Sequence, residues 1–337
     1  MTRPVAAVIL AAGMGTRMKS DLHKVLHPIA GRPMLMHLLA SVEALAPAAK
    51  VVVVGARREQ VEAAVAGTGA AVVTQEPQLG TGHAVLQAEA ALAGFDGDVL
   101  VMFGDVPLVR TETMRAMLAA LADADVACAV LGFRPDDAAA YGRIIARPDG
   151  VIEKMVEFKD ASTTERAVTL CNSGLIAVRS KDLWPLLARV GNDNAAGEYY
   201  LPDVVTIATA DGRRSVVVET PADEVDGINS RAELARVEAK WQAAKRQEMM
   251  AAGVTLIDPA TVWFAHDTKI GRDVVIEPAV FFGPGVTVDD GAVIHGFSHL
   301  EGAHVGPRAE VGPYARLRPG ADLGERSKVG NFVEVKK

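Results

Sequence analysis

Leu10-Ala11-Ala12-Gly13-Met14-Gly15-Thr16-Arg17-Met18, with Lys24 six residues further on, sets glycines and cations directly behind the apolar run Val5 to Leu10. A run of that length and composition reads as a strand buried on both faces. Where such a strand enters Gly-x-Gly, the chain can turn with positive φ and bring unhindered N–H groups to the sheet edge. Phosphate is the group that such an edge holds.

Three phosphate loops compete for this stretch, and spacing separates them. A Walker loop requires Gly-Lys-Ser/Thr after four intervening residues, and the chain contains no Gly-Lys dipeptide. A dinucleotide fingerprint calls for glycine at position 18, occupied by Met18, and an acidic residue closing the second strand, which Val51-Val52-Val53-Val54-Gly55 does not supply. In a nucleotidyltransferase loop the amides hold a nucleoside triphosphate, and Arg17 and Lys24 meet the charge that builds on departing pyrophosphate. This third reading explains the cations as well as the glycines. A surface strand-to-helix turn with incidental basic residues remains its competitor on these residues alone.

Other candidates lie on loops further along. Gln75-Glu76-Pro77-Gln78-Leu79-Gly80-Thr81-Gly82-His83 lets the main chain approach a flat ligand at its glycines, and the Gln75 amide can both donate to and accept from a base edge. The same segment also reads as a plain loop before a helix. In Met102-Phe103-Gly104-Asp105-Val106-Pro107 a carboxylate follows a buried strand, so Asp105 is either a ligand for a hard metal ion or a helix cap. Tyr141-Gly142-Arg143, Val156-Glu157-Phe158-Lys159 and Cys171-Asn172-Ser173-Gly174 read as turns whose Glu157 and Asn172 could bind sugar hydroxyls.

The elements that must position these loops alternate. Strand-like runs at Val51 to Val54, Ala70 to Val73, Val99 to Phe103 and Val126 to Leu131 are separated by alanine-rich segments of helical spacing at Met34 to Ala46, Gln60 to Ala66, Ala84 to Ala93 and Thr111 to Leu121. Alternation of this kind predicts an α/β domain, Rossmann-like, with a mostly parallel sheet covered on both faces and ligands beyond the carboxyl ends of its strands. Ser230-Arg231-Ala232-Glu233 has the spacing of a capping box, and the helix it starts should run from Arg231 to Ala251, with Gly253 closing it. We expect domains at 1–229 and 254–337, with 230–253 as a linker helix.

At 337 residues the chain can build about two cores, and with 50% hydrophobic but only 5% aromatic residues those cores must be aliphatic. A net charge of −7 argues against general affinity for nucleic acid or anionic membrane. Cys128 and Cys171 are too few for a disulfide framework, so buried thiols in a reducing cytoplasm are expected. Arg3 followed by Val5 to Ala12 is short for a signal peptide, and no export signal is expected. The pairs His23/His27 and His295/His299 have an i,i+4 spacing but lack nearby sulfur or carboxylate partners in sequence, so neither is read as a metal site.

Beyond the linker the texture changes. Aliphatic or aromatic residues recur in steps of six at Phe264, Ile270, Ile276, Phe282, Val288, Ile294 and Leu300, and after one five-residue step at Val305, Val311, Leu317, Leu323, Val329 and Val335. A hexapeptide period predicts a left-handed parallel β-helix with this ladder inside.

Taken in order, LAAGMGTRM, Lys24, QEPQLGTGHA, FGDVPL, YGRI, VEFKDA, CNSG, NAAGEYYLPD, DGINSR, GPYARLRPGADL and GNFVEVKK resemble, end to end, the GlmU family of bacterial bifunctional uridyltransferases and N-acetyltransferases. The resemblance implies that UTP and N-acetylglucosamine 1-phosphate become UDP-N-acetylglucosamine and pyrophosphate. It implies that Leu10, Ala11, Ala12 and Gly13 hold the nucleotide, with Arg17 and Lys24 as catalytic cations on its phosphates. By the same resemblance Gln75, Gly80 and Thr81 read the uracil, and Phe103 and Gly104 adjoin the substrate. Asp105 and Asn229 bind Mg²⁺, which suits an ion that keeps water and substrate phosphates in its remaining positions. Gly142, Glu157 and Asn172 hold the sugar.

Met14, His23 and Phe103 stand where the family often has lysine, proline and tyrosine. Arg318 and Lys336 match substrate contacts of the family's acetyltransferase site, whose catalytic histidine and most acetyl-CoA contacts lie beyond position 337. No acetyl transfer is therefore expected from these residues alone, whereas a cytoplasmic homotrimer through the β-helix is. Another sugar-1-phosphate nucleotidyltransferase, or a non-catalytic regulatory relative, are the alternatives.

Overall fold

The structure is a computed structural model and describes residues 3–138 and 141–337. It divides into two compact units, one comprising the chain up to His27 together with Met34–Arg231, the other Pro28–Pro33 with Ala232–Lys337.

The first unit is built on one sheet. From edge to edge its main path runs Arg214–Thr220, Val126–Phe133, Cys171–Arg179, Asp98–Phe103, Val5–Ala11, Ala49–Val54 and Ala71–Thr74. Only Cys171–Arg179 runs antiparallel to its neighbours on this path. Side chains alternate across a strand, and the first strand divides accordingly: Ala7, Ile9 and Ala11 enter one buried core while Ala6, Val8 and Leu10 enter the other. Burial of both faces is why the strand reads as an unbroken apolar run.

Two local expectations change. The alanine-rich stretch Ala84 to Ala93 is an α-helix only over Thr81–Leu86, followed by a 3-10 turn at Ala90–Leu92. The backbone between them closes on i−3 carbonyls, as in Ala88 N–H to Val85 O and Glu89 N–H to Leu86 O. Cys171 to Gly174, read as a turn, lies within the strand Cys171–Arg179, where the register shifts between Asn172 and Ile176. The polar residues there mark a bulge.

In the second unit, three sheets of two-residue parallel strands stack into a β-helix. The hexapeptide ladder becomes three columns: Ile270, Val288, Val305, Leu323; Ile276, Ile294, Val311, Val329; and Phe282, Leu300, Leu317, Val335. The single five-residue step shortens one corner, and Val288 still pairs with Val305. Phe264 stacks on Phe282 at the start of the ladder, ring centroids 5.3 Å apart.

The helix Arg231–Ala251 has the expected bounds but does more than link. Its buried Gln242 donates from Nε2 to the Phe264 carbonyl (2.7 Å) and accepts from the Phe264 N–H (2.9 Å), and Met249 enters the core of the second unit. The hairpin Pro28–Pro33, expected within the first domain, also belongs here. Its Ala30 N–H donates to the Glu238 carboxylate (2.7 Å), and its Ala30 carbonyl accepts from the His266 N–H (2.9 Å).

Candidate functional site

Parallel pairing aligns the carboxyl ends of Val5–Ala11 and Asp98–Phe103, with Leu10 opposite Phe103. The next residue, Gly104, donates its N–H to the Leu10 carbonyl (2.9 Å) and is hemmed in by Val25 and Leu35. That contact leaves Asp105 at the sheet edge. The Asp105 carbonyl then accepts from the Ile228 N–H (2.9 Å), which brings Asn229 alongside from the far end of the unit.

Lys24 meets both. Its ammonium pairs with the Asp105 carboxylate and donates to Asn229 Oδ1 (3.1 Å), with the Lys24 side chain only 10% exposed. Its backbone is pinned by the preceding residue: the His23 N–H donates to Gln60 Oε1 (2.7 Å), and His23 Nδ1 accepts from the Val25 N–H (3.4 Å). Burial first, and the adjacent Lys24 charge second, hold the His23 imidazole below the usual histidine range. A neutral ring beside the ammonium adds no repulsion. Gly15, at φ 58°, supplies the room, because a Cβ there would lie 2.7 Å from the Lys24 Cβ. The glycine expected to cradle phosphate therefore also cradles the lysine.

Over this edge lies a pocket of about 360 Å³ whose walls include Leu10, Ala11, Ala12, Gly13, Lys24, Gln75, Gly80, Thr81, Phe103 and Asp105. Gln75 is buried, and its Nε2 donates to the Gly80 carbonyl (2.9 Å). Gly80 has φ 107° and lies against the Tyr199 backbone, where a Cβ would come within 2.7 Å of the Tyr199 carbonyl oxygen. A second pocket of about 300 Å³ shares Thr81 and Phe103 with the first and collects Gly142, Glu157 and Asn172. Asn172 is held by its N–H on the Gly142 carbonyl (2.9 Å) and by its Oδ1 accepting from the Gly174 N–H (2.8 Å). The Phe103 ring lies against Gly174, where a Cβ would be 2.7 Å away.

Burial, then the Asp160 and Asp203 carboxylates, push Glu157 above the usual carboxylate range. The Tyr200 phenol in the same wall is raised by burial and then by Asp160, Glu157, Glu198 and Asp203.

Among the expected site residues, Arg17 stands apart. It is exposed on the 3-10 turn Thr16–Met18 and lines neither pocket. Gly104 is buried beneath the floor rather than lining it.

Sequence reasoning missed Gln78 and Glu198. The Gln78 side chain donates to the Ala12 carbonyl and covers Gly55, and Glu198 stands in the wall of both pockets. Asn194 shapes the Glu198 segment by accepting from the Ala196 and Glu198 N–H groups (3.1 and 3.2 Å). That segment docks through Gly82 N–H to Tyr199 O (2.8 Å) and Leu201 N–H to Thr81 Oγ1 (2.9 Å). Both residues lie inside quoted motifs, but nothing in their spacing distinguishes them from their neighbours.

Two oxygens, from Asp105 and Asn229, thus converge on one cationic group, and the donor set is of the kind that suits a hard divalent ion. No cluster of three or more His, Cys, Asp or Glu side chains able to hold a metal is found among the described residues. His27 Nδ1 meets the Arg231 guanidinium (3.2 Å), His295 pairs with Glu277 (3.0 Å), and His299 stacks on Phe281 (4.8 Å), so these histidines have separate partners. Both cysteines are free and buried, and burial pushes the Cys128 thiol up to about 12. In the second unit Arg318 lies within 3.6 Å of Glu334 and donates its N–H to the Val335 carbonyl (2.9 Å), which puts it one coil from Lys336. No helix among the described residues is long and apolar enough to cross a membrane.

Residues 7–201 match the family described as MobA-like NTP transferase domain. The chain is 64% identical to the Bifunctional protein GlmU of Sphingopyxis alaskensis, over all of this chain and 74% of that protein. It is 57% identical to the protein of the same name from Zymomonas mobilis, over 99% of this chain and 75% of that one. A crystal structure of UDP-glucose pyrophosphorylase complexed with UDP-glucose superposes with a TM-score of 0.57 and 17% identity, covering 72% of this chain and all of that one. At that identity the likeness is one of fold.

Proposed function

The chain belongs to the GlmU family, within the nucleotidyltransferases, and from that premise we propose that its first unit joins UTP to N-acetylglucosamine 1-phosphate, releasing pyrophosphate and UDP-N-acetylglucosamine. The observation that carries this reading is the convergence of Lys24 and Asp105, in the wall of the first pocket, with Asn229, beside a second pocket that shares Thr81, Phe103 and Glu198 with the first. One pocket is lined by the glycine turn and suits a nucleotide; the other, lined by Glu157 and Asn172, suits a sugar.

The attacking group is a phosphate oxygen already ionised at neutral pH, so the protein needs to align it rather than activate it. A bond forms between that oxygen and the α-phosphorus as the bond from the α-phosphorus to the leaving diphosphate breaks. Lys24 and Arg17 neutralise the charge gathering on the pyrophosphate. Asp105 and Asn229 would hold Mg²⁺, which when bound neutralises phosphate charge from both reactants. With its Nε2 given to Gly80, Gln75 offers its carbonyl oxygen to a base N–H. Glu157 and Asn172 orient the sugar. A homotrimer through the β-helix and a cytoplasmic location belong to the same reading.

The test is pyrophosphate release, measured with and without Mg²⁺ across a panel of nucleoside triphosphates and sugar 1-phosphates. Release should require metal and be fastest with UTP and N-acetylglucosamine 1-phosphate. A faster pair would replace the substrate assignment. Silence from every pair would favour a non-catalytic relative.

A further inference from the structure

Lys24 stands where a metal ion would be expected to compete with it. Its ammonium takes the Asp105 carboxylate and the Asn229 carbonyl oxygen together, the two oxygens that would serve a divalent cation. An ammonium and a metal ion on those oxygens repel each other, and the seat is largely screened from the solvent that would damp that repulsion, with side-chain exposures of 10% at Lys24 and 17% at Asp105.

The first pocket, which Lys24 also lines, offers the ammonium another place to go. Gly15 grips the lysine stem: a Cβ at that glycine would lie 2.7 Å from the Lys24 Cβ, 3.3 Å from Cγ and 3.4 Å from Cδ. The tip is not gripped in this way. Nζ would be 3.8 Å from a Cβ on Gly13, at the mouth of the loop that lines the nucleotide pocket. A triphosphate in that pocket would offer the ammonium anionic oxygens without moving the backbone, which His23 and Gln60 hold in place.

We propose that Lys24 is a resident counter-ion for Asp105 and Asn229 that competes with the divalent cation and surrenders its seat when a triphosphate supplies the ammonium with another partner. This inference rests on the metal role proposed above for Asp105 and Asn229. It makes metal binding conditional on nucleotide: the free ion binds poorly, and ion and triphosphate enter together. Lys24 thereby sets the order of assembly as well as contacting phosphate.

Mn²⁺ binding, counted by the electron paramagnetic resonance of the free ion, tests this without turnover. Without nucleotide, Lys24→Met and the polar Lys24→Gln, each checked for native far-ultraviolet circular dichroism, should bind Mn²⁺ at least tenfold more tightly than the unaltered chain. Lys24→Arg should not. Unchanged or weaker binding in both neutral variants overturns the proposal. Adding Asp105→Asn to Lys24→Met should abolish the gain. If tight binding survives that second change, the assignment of Asp105 to the metal is what has failed. If Asp105→Asn weakens Mn²⁺ binding while the neutral variants show no gain, the metal site stands and the competition does not.

Discussion

In the β-helix a residue's partner lies one coil on and can be read from the period, as Ile276 pairs with Ile294 and Ile294 with Val311. In the α/β unit the residues that share one charge, Lys24, Asp105 and Asn229, stand 81 and 205 positions apart from the lysine. The contrast follows from how each unit buries its backbone. A solenoid satisfies its N–H and C=O groups against the adjacent coil, so its contacts repeat with the sequence. A doubly covered sheet orders its strands out of chain sequence, so its edge gathers loops from distant segments. Repetition keeps partners legible in the sequence, whereas a sheet edge brings together unlike residues whose meeting the sequence does not announce.

Arg17→Ala is the severest test of that contrast, since Arg17 is the expected catalytic cation that lines neither pocket. We expect turnover to fall about a thousandfold, as for arginines that neutralise charge in phosphoryl transfer. A loss below tenfold, measured as pyrophosphate release, would show that its motif position misled and that Lys24 carries the cationic role. Within the solenoid, Ile294→Ala should cost about 2–5 kcal/mol of stability in the second unit. Urea unfolding followed by the fluorescence of Trp241 and Trp263 reads this, and uridylyl transfer per folded molecule should be unchanged. A large loss of turnover would show that the ladder and the site are energetically one.

Gly15→Ala sharpens the comparison on the side of the α/β unit. An alanine at φ 58° is strained by about 1–2 kcal/mol, and its Cβ would push against Lys24. Thermal unfolding should show the first cost, and a raised KM for UTP the second. A raised KM without loss of stability would confine the effect to Lys24.

The smallest effect belongs to His304, which bridges Asp289 (2.9 Å) and Asp322 (2.7 Å) between coils. Its hydrogen bonds to Asp322 and Asp289 raise it above the usual histidine range. A raised folded value means that stabilisation is complete below the ordinary value of 6.5 and is lost as pH rises through the raised one. The side chain is 45% exposed, so solvent screening should keep the effect below about 1 kcal/mol. His304→Gln should flatten that pH dependence in urea titrations, and an unaltered slope would remove His304 as its source.

Much of the fold was legible, for reasons particular residues make plain. Val51 to Val54 and Val99 to Val101 are buried on both faces, so their strands carry an apolar signature that needs no partner to be recognised. Cys171 to Gly174 misled because a bulge uses the same small and polar residues as a turn. The alanine run after Thr81 misled because apolar spacing does not say where i−4 bonding gives way to the i−3 bonding of a 3-10 turn, and only the observed hydrogen bonds separate them. The hairpin at Ala30 gives no local sign that its backbone answers to Glu238 and His266. Glu198 and Gln78 were invisible for a related reason: their importance lies in which walls they share.

By itself, the sequence determined the two architectures, the phase of the aliphatic ladder and the types of residue available for phosphate chemistry. Those are matters of periodicity and of what glycine, lysine and carboxylate can do, and each is decided within a few neighbours along the chain. Only the tertiary structure decided that Lys24 lies on Asp105 and Asn229, that Gly15 is needed to make room for the lysine stem, and that Arg17 lines neither pocket. Electrostatic pairing falls off over a few ångströms through space, and a chain that crosses its own sheet several times carries no record in its order of which loops that distance will join.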